Sequence, residues 1–576
     1  MEILLLGSII FAPLAFAAVE PWAFGPLYAV FFGMSARLYS TGRANNPNPL
    51  YKNLIPAVLA VAAIGLLQTI TENPVNAPSA LIFTAWRQAT LNAVVTWLFY
   101  AAVLYCVPQI ITTPQRLKRL LWTIFAMGVI IALIGMLQKS GENSIVYGLR
   151  KVRGDSFGPF VNRDHGANFM AMAALAGMGL FFSGFRAMFA QQSHTRFFDL
   201  LAVQSLKLVM IVAVIYGIYR TGSRGGLHFF VLAAAAAGFV SAGFVKTRKL
   251  KVAAYAGLLL LLAGYGVFVS RNEKLMGLNG GAFDRSITMR FSMYASGWRM
   301  LKDFPVFGVG LGAVEHAFPH YTLPGFPVGR LVRHVHSDWL ELFLQTGLAG
   351  GLIYLAGLLA ALYFSFKTWT GARSFTIKAL CGGALGAAAA ASAHNLVEFG
   401  SQMPANTLTF YALLGALVSI PALQGLPSRN TGEEELPEPA APAPRLRAAA
   451  VFALAALLSA WVIPQFMAWR YDQLAKTAPF AHKIEFRAAS LKWSPNPQAA
   501  FRLGGEYYNQ GLQNKTAPCA LFRDSRQAIS PFLRRAPVNY DLNILDGNLR
   551  LQLAHCYNPR KIKAGSGAPP ARASRP

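Results

Sequence analysis

Charge is scarce in this chain. Only 13% of its 576 residues are Asp, Glu, Lys or Arg, while 54% are hydrophobic. A soluble enzyme of this size needs far more polar surface, so a soluble fold is excluded. Cysteine is scarcer still: there are four, with no CxxC pair, which speaks against a zinc site. Cys106 and Cys381 fall within apolar runs and read as packing residues. Cys519 and Cys556 can pair if the C-terminal region faces an oxidising compartment. No DxD pair stands on the face that carries the other candidate residues, and no His/Cys/Asp cluster has metal-ligand spacing. Metal-dependent sugar or phosphate chemistry is thereby disfavoured, and no cofactor is called for. No internal repeat with a clean period is present. The net charge of +28 raises the question of nucleic acid. No basic segment interleaved with aromatics stands out, so no nucleic-acid partner is expected.

Long apolar runs are what the chain has instead. A bilayer takes about 20 helical residues to cross. The expected spans are 3–19, 21–39, 54–71, 91–111, 119–138, 166–185, 205–219, 226–245, 252–270, 347–366, 378–397, 405–423 and 447–466. The first run has Glu2 before it and no basic start, so it reads as a span and not as a cleaved signal peptide. With the N-terminus inside, five basic clusters fall on the cytoplasmic side, as the positive-inside rule requires. These are Arg37/Arg43/Lys52, Arg116/Lys118/Arg119, Arg186/Arg196, Lys246/Arg248/Lys249/Lys251 and Lys367/Arg373/Lys378. The expected division is N-terminal spans over 1–154 and a membrane core over 155–423 with an outer loop at 271–346. A Pro/Ala/Glu-rich linker over 424–446, a last span at 447–466 and a helical tail over 467–576 follow.

The residues with chemistry gather on the opposite, non-cytoplasmic side. The stretch from Ser286 to Gly347 is the longest that cannot be a span, and it carries Arg290, Arg299, Arg330, Arg333, His316, His320, His334 and His336. His336 precedes a helix start, where Asp338 and Glu341 have capping-box spacing and Gly347 can end the helix. A helix N-terminus favours an anion and a neutral imidazole, and a neutral imidazole can act as a base. Local capping is the plainer role for the same residue. Arg220 and Arg224 sit in RTGSRGG with no carboxylate near them in sequence. Their planar forks match a phosphate or diphosphate, and snorkelling to lipid headgroups is the alternative. Arg290 opens a further helix. Asn162, Arg163, Asp164 and His165 stand at the mouth of the sixth span, either to bind sugar hydroxyls or to cap the helix. His394 and Glu398 are spaced i,i+4 and are expected on one helix face, either orienting another group or neutralising each other.

GPFVNRDH, SRGG, RFSMYASGW…DFPVFGVGLG, HVHSDWLELFLQTGLAG and HNLVEFGSQMPAN occur in that order. This ordered set resembles the O-antigen ligase and polymerase superfamily of bacterial envelope glycan assembly, over roughly 155–420. The resemblance implies an all-α polytopic membrane fold of the glycosyltransferase C type. It also implies metal-independent transfer from undecaprenyl-diphosphate-linked glycan at the periplasmic face of the inner membrane, with a glycan or lipid A–core as acceptor; displacement in one step would invert the anomeric centre. By the family pattern His336 is the base, and Arg224 and Arg290 hold the diphosphate. Arg220, Asn162, His165, His394 and Glu398 complete the substrate-binding candidates. Ser337 and Asp164 stand where the family more often has Asn, which leaves the acceptor open. Three functions stay open: a polymerase of O-antigen or exopolysaccharide, toward which the extra span and tail incline, a ligase onto lipid A–core, and a transporter of lipid-linked glycan. A transporter would favour internal repeats and a midplane site, and this chain offers neither.

Overall fold

The computed structural model describes residues 1–41, 49–76, 78–138, 145–147, 150–151, 155–189, 193–279, 282–323, 332–424, 444–514, 518–536 and 539–557. The linker expected over 424–446 lies almost wholly outside them, as does Arg330. Among the described residues, extended pairing amounts to two ladders of two residues per strand and two isolated bridges. Everything else that is regular is helix, and a helix occupies each of the expected span positions. Nine described helices are long and apolar enough to cross a membrane by length and composition. Glu2–Leu14 and Asn53–Gln68 are shorter apolar helices. The chain is an all-α, multi-pass membrane protein.

Two kinds of helix surface support this. The Arg163–Phe189 and Phe375–His394 helices form the centre, and they pack backbone to backbone. A Cβ on Gly179 would lie 3.0 Å from the Gly383 Cα, and 2.9 Å from the Ala379 carbonyl oxygen. Only glycine permits that approach, the device by which membrane helices associate without a hydrophobic drive. At the periphery, Arg248–Ser270 buries no residue, and Leu260 and Leu261 are each 74% exposed. Such a surface is stable facing lipid and unstable facing water.

Several connections between helices meet at one end of the bundle and are stitched together there. The turn around 305–312 is the central stitch. The Val309 and Gly310 amides donate to the carbonyls of Leu344 and Gln345, and the Ala85 amide donates to Val309. Fully buried Gln68 holds the same turn, donating to Phe307 and Gln345 carbonyls and accepting from the Leu311 amide. Gly347 has φ +62° and interrupts the Asp338–Gly371 helix, so the expected helix end is present as a break between two helical parts. A Cβ there would lie 2.2 Å from Val306. Glycine is therefore required both by conformation and by space.

The last span continues from Arg445–Ala460 into Val462–Thr477, and four further helices follow: Phe480–Trp493, Pro497–Gln513, Pro518–Arg535 and Tyr540–Tyr557. Cys519 and Cys556 are joined by a disulfide that ties the last two together. The tail docks on the connection after the Pro49–Gln68 helix. Arg535 pairs with Glu72 at 2.9 Å and lies 4.8 Å from the Trp86 ring centre, and Phe532 stacks on Trp86.

Candidate functional site

The end of the bundle that gathers these connections holds a cleft of about 250 Å³. Its walls come from five separate stretches of chain: Arg163 and Asp164, Gly222 to Gly225, Ser286 to Met293, His336, and His394 with Glu398. Five of the predicted residues, Arg224, Arg290, His336, His394 and Glu398, line it.

His336 occupies the last position before the helix cap and has φ +54°. Non-glycine residues seldom adopt this conformation, and the Tyr294 hydroxyl secures it by donating to the His336 carbonyl at 2.8 Å. The cap itself differs from expectation. Ser337 is the N-cap residue, and its hydroxyl accepts from the Leu340 amide. Glu341 does not reach back in a capping box. It is buried and binds the His334 ring at 2.8 Å and the Val335 amide at 3.1 Å. Burial would lower the His334 pKa, but the Glu341 charge and hydrogen bond prevail and raise it. Asp338 faces the other way, its carboxylate accepting from the Ser401 amide at 2.7 Å.

His394 and Glu398 are not on one helix face. The helix ends at His394, and Glu398 stands in the turn beyond it. There its carboxylate lies between two other groups: Oε1 pairs with Arg290, and Oε2 lies 3.2 Å from His336 Nδ1. Arg290 also donates to the Val397 carbonyl at 3.0 Å and lies 3.9 Å from Asp164. Burial would raise the Glu398 pKa, but the His336 hydrogen bond and the Arg290 charge hold it down at about 2. Glu398 is therefore ionised at neutral pH. With Nδ1 turned to Glu398, the other ring nitrogen of His336 is left for chemistry in the cleft.

Arg224 has a carboxylate partner after all, supplied by Asp284, sixty residues on. It pairs with Asp284 and donates to the Ser286 hydroxyl at 2.8 Å. Sequence proximity could not show this pairing. Asp284 also caps the Arg285–Asp303 helix, accepting from the amides of Ser286 and Ile287. Burial raises its pKa, while Arg224 and the cap bonds lower it more, to about 2.

The remaining predicted residues divide. Arg220 lies outside the cleft lining, against the Tyr216 ring and hydroxyl. Asn162 caps the Arg163–Phe189 helix, its side chain accepting from the Asp164 amide at 2.9 Å. His165 is buried behind the cleft, edge-on to Phe399, and His394 is buried at its rim beside Gly225. Among the described residues, neither ring nitrogen of either histidine has a hydrogen-bond partner. Phe399 is a residue the sequence did not single out. His334 stacks on it, and His336 and His165 meet it edge-on, all within 5 Å between ring centres. It fixes the spacing of three imidazoles, and its only sequence signal is its place next to Glu398. His316 stacks on Trp86, His320 meets Tyr321 edge-on, and exposed Arg333 pairs with Glu315 at 3.7 Å, all outside the cleft. Among the described residues, no three or more His, Cys, Asp or Glu side chains converge to hold a metal ion.

Two arginines with a buried carboxylate and a half-exposed imidazole can bind an anion and accept a proton beside it. Residues 209–355 match the model of a known family, O-antigen ligase. The match spans Arg220, Arg224, Arg290 and His336 and supports the O-antigen ligase and polymerase superfamily. At that coarse level it supports a membrane enzyme of glycan assembly. No curated protein matches the chain.

Proposed function

We propose that the protein is an inner-membrane glycosyltransferase that polymerises or transfers undecaprenyl-diphosphate-linked glycan at the periplasmic face. The observation that carries this reading is the convergence of Arg224, Arg290 and His336 on one cleft, from three separate segments. Arg224 and Arg290 bind the donor diphosphate. An acceptor hydroxyl attacks the anomeric carbon from the side opposite the diphosphate. Its oxygen forms the new glycosidic bond, and the bond from the anomeric carbon to the diphosphate oxygen breaks. The electron pair leaves with the diphosphate, where the two guanidinium groups stabilise the growing charge. The hydroxyl proton passes to the His336 nitrogen that faces away from Glu398. A single displacement inverts the anomeric centre, and no step uses a metal.

The helical tail docks at the same end of the bundle, through Arg535 on Glu72 and Trp86. It carries a groove lined by Arg523, Arg526 and Arg550. A basic groove on a tail docked in this way suits guidance of a growing chain and favours polymerase over ligase. The test offers the purified protein undecaprenyl-diphosphate glycan with either a second carrier-linked glycan or lipid A–core. Lengthened carrier-linked product supports polymerisation, and glycan on lipid A–core supports ligation. Donor that binds but is never consumed with either acceptor leaves transport as the reading. Chelator is expected to change nothing; activity lost to chelator and restored by a divalent ion would refute the mechanism.

A further inference from the structure

The buried carboxylate of Glu398 touches both the arginine and the imidazole of the proposed reaction, one with each oxygen. It is 2% exposed, in surroundings where a charge acts strongly on its neighbours. Arg290 is 24% exposed and faces the cleft, so a ligand can reach it. We propose that Glu398 is a positioning residue that couples donor binding to the readiness of His336. In this structure Arg290 neutralises Glu398 and weakens its pull on the imidazole. A diphosphate entering the cleft carries more negative charge than one carboxylate, and it draws the Arg290 fork away. Glu398 then has His336 as its remaining strong partner. The unshared carboxylate makes that imidazole a stronger base only while donor is present. The acceptor proton is thus taken when a sugar is there to receive the oxygen.

This inference rests on the glycosyltransferase reading. The other charged or titratable groups around Glu398 and His336 are Asp164, His165, Tyr294, His334, Asp338 and His394; the Tyr294 hydroxyl is engaged by the His336 carbonyl and the Asp338 carboxylate by the Ser401 amide. Asp164 lies 3.9 Å from Arg290, His334 is engaged by Glu341, and His165 and His394 make no hydrogen bond to Glu398. None of them substitutes for the shared contact.

The test compares the full-length parent with Glu398→Gln and Glu398→Asp, measuring donor affinity and transfer separately. If Glu398 competes with the diphosphate for Arg290, Glu398→Gln binds donor as tightly as the parent or several-fold more tightly. Its turnover falls by about 10²–10⁴-fold, the range for a disabled general base. Glu398→Asp, with the charge kept, regains part of the turnover. The pH profile adds a readout that a purely structural role would not move. In the parent, the acid limb of kcat lies at higher pH than that of kcat/KM for donor, because His336 gains basicity in the complex. In Glu398→Gln that gap shrinks to what the diphosphate charge alone provides. Loss of donor affinity in both variants, or an unchanged gap, overturns this inference while the parent's activity stands. A parent that neither binds nor transfers the donor overturns the functional reading as well.

Discussion

The two walls of the cleft use the same pair of groups in different settings. On one wall Arg224 meets Asp284, whose side chain is 30% exposed and whose other work is to cap a helix. On the other wall Arg290 meets Glu398, which is 2% exposed and also touches the imidazole. An ion pair near water is loosely held and contributes little by itself. A buried one is tightly constrained, and removing one partner leaves an uncompensated charge. The Arg224 wall is therefore read as a binding surface, and the Arg290 wall as the part that joins binding to proton transfer.

The largest expected effect belongs to the group that only one wall serves. His336→Ala should lower transfer by about 10²–10⁴-fold. Donor affinity should stay near that of the parent, because the imidazole is not the diphosphate ligand. Transfer close to the parent's would remove His336 as the base. Next come the arginines. Arg224→Ala and Arg290→Ala should each weaken donor binding by roughly tenfold or more, as loss of a charge-assisted contact does. Arg224→Lys keeps the charge, loses the fork and should still slow turnover. Their effects on stability should separate: Arg290→Ala strands a buried carboxylate, at a cost of about 3–5 kcal/mol, whereas Asp284 can turn to solvent. Adding Glu398→Gln to Arg290→Ala should restore thermal stability without restoring donor binding. Equal melting temperatures for the two single variants would erase the distinction between the walls.

Much of this was legible in the sequence, and the limits have a physical pattern. The helical, multi-pass character was readable because a bilayer imposes one length and one polarity on every crossing, and nine described helices meet both against thirteen expected spans. Ordered motifs singled out His336, Arg224 and Arg290, and the structure brings these three to one cleft. The partners of those residues were not. Asp284 is sixty residues from Arg224, and Glu398 is 108 from Arg290, so no local spacing links them. The i,i+4 reading of His394 and Glu398 failed because the helix stops at His394, and the residues that follow turn Glu398 back toward His336. The capping reading missed by one position, since Ser337 and Asp338 are both good caps and only the geometry chooses between them. The disulfide was a conditional expectation, and it formed because the last two tail helices pack side by side.

Acid should probe both walls together and then separate them. Glu398 is lowered from its ordinary 4.5 to about 2, and Asp284 from 3.8 to about 2. A carboxylate whose pKa is lowered by folding stabilises the native state fully above its unfolded value. That stabilisation is lost as pH falls through the folded value. Melting temperature should therefore drop as pH goes from about 4.5 toward 2. Glu398→Gln should flatten that drop more than Asp284→Asn, because the buried charge contributes more. The opposite ranking would place the stronger pair on the Arg224 wall.

Salt should give the smallest effect and the cleanest separation. Going from 0.1 to 1 M shortens the screening length from about 10 Å to about 3 Å in water, and buried pairs feel this far less than exposed ones. The Ser286 and Ile287 amides report on the Arg224 wall, because both donate to Asp284. The Asp338 amide reports on the other, since it donates to the backbone carbonyls of Glu398 and Asn395, each at 3.0 Å. Hydrogen exchange at Ser286 and Ile287 should speed up a few-fold in high salt as Asp284 loosens from Arg224, while exchange at Asp338 stays unchanged. If Asp338 accelerates equally, water and ions reach Glu398 freely. The buried carboxylate could not then hold Arg290 and His336 in the arrangement on which the coupling depends.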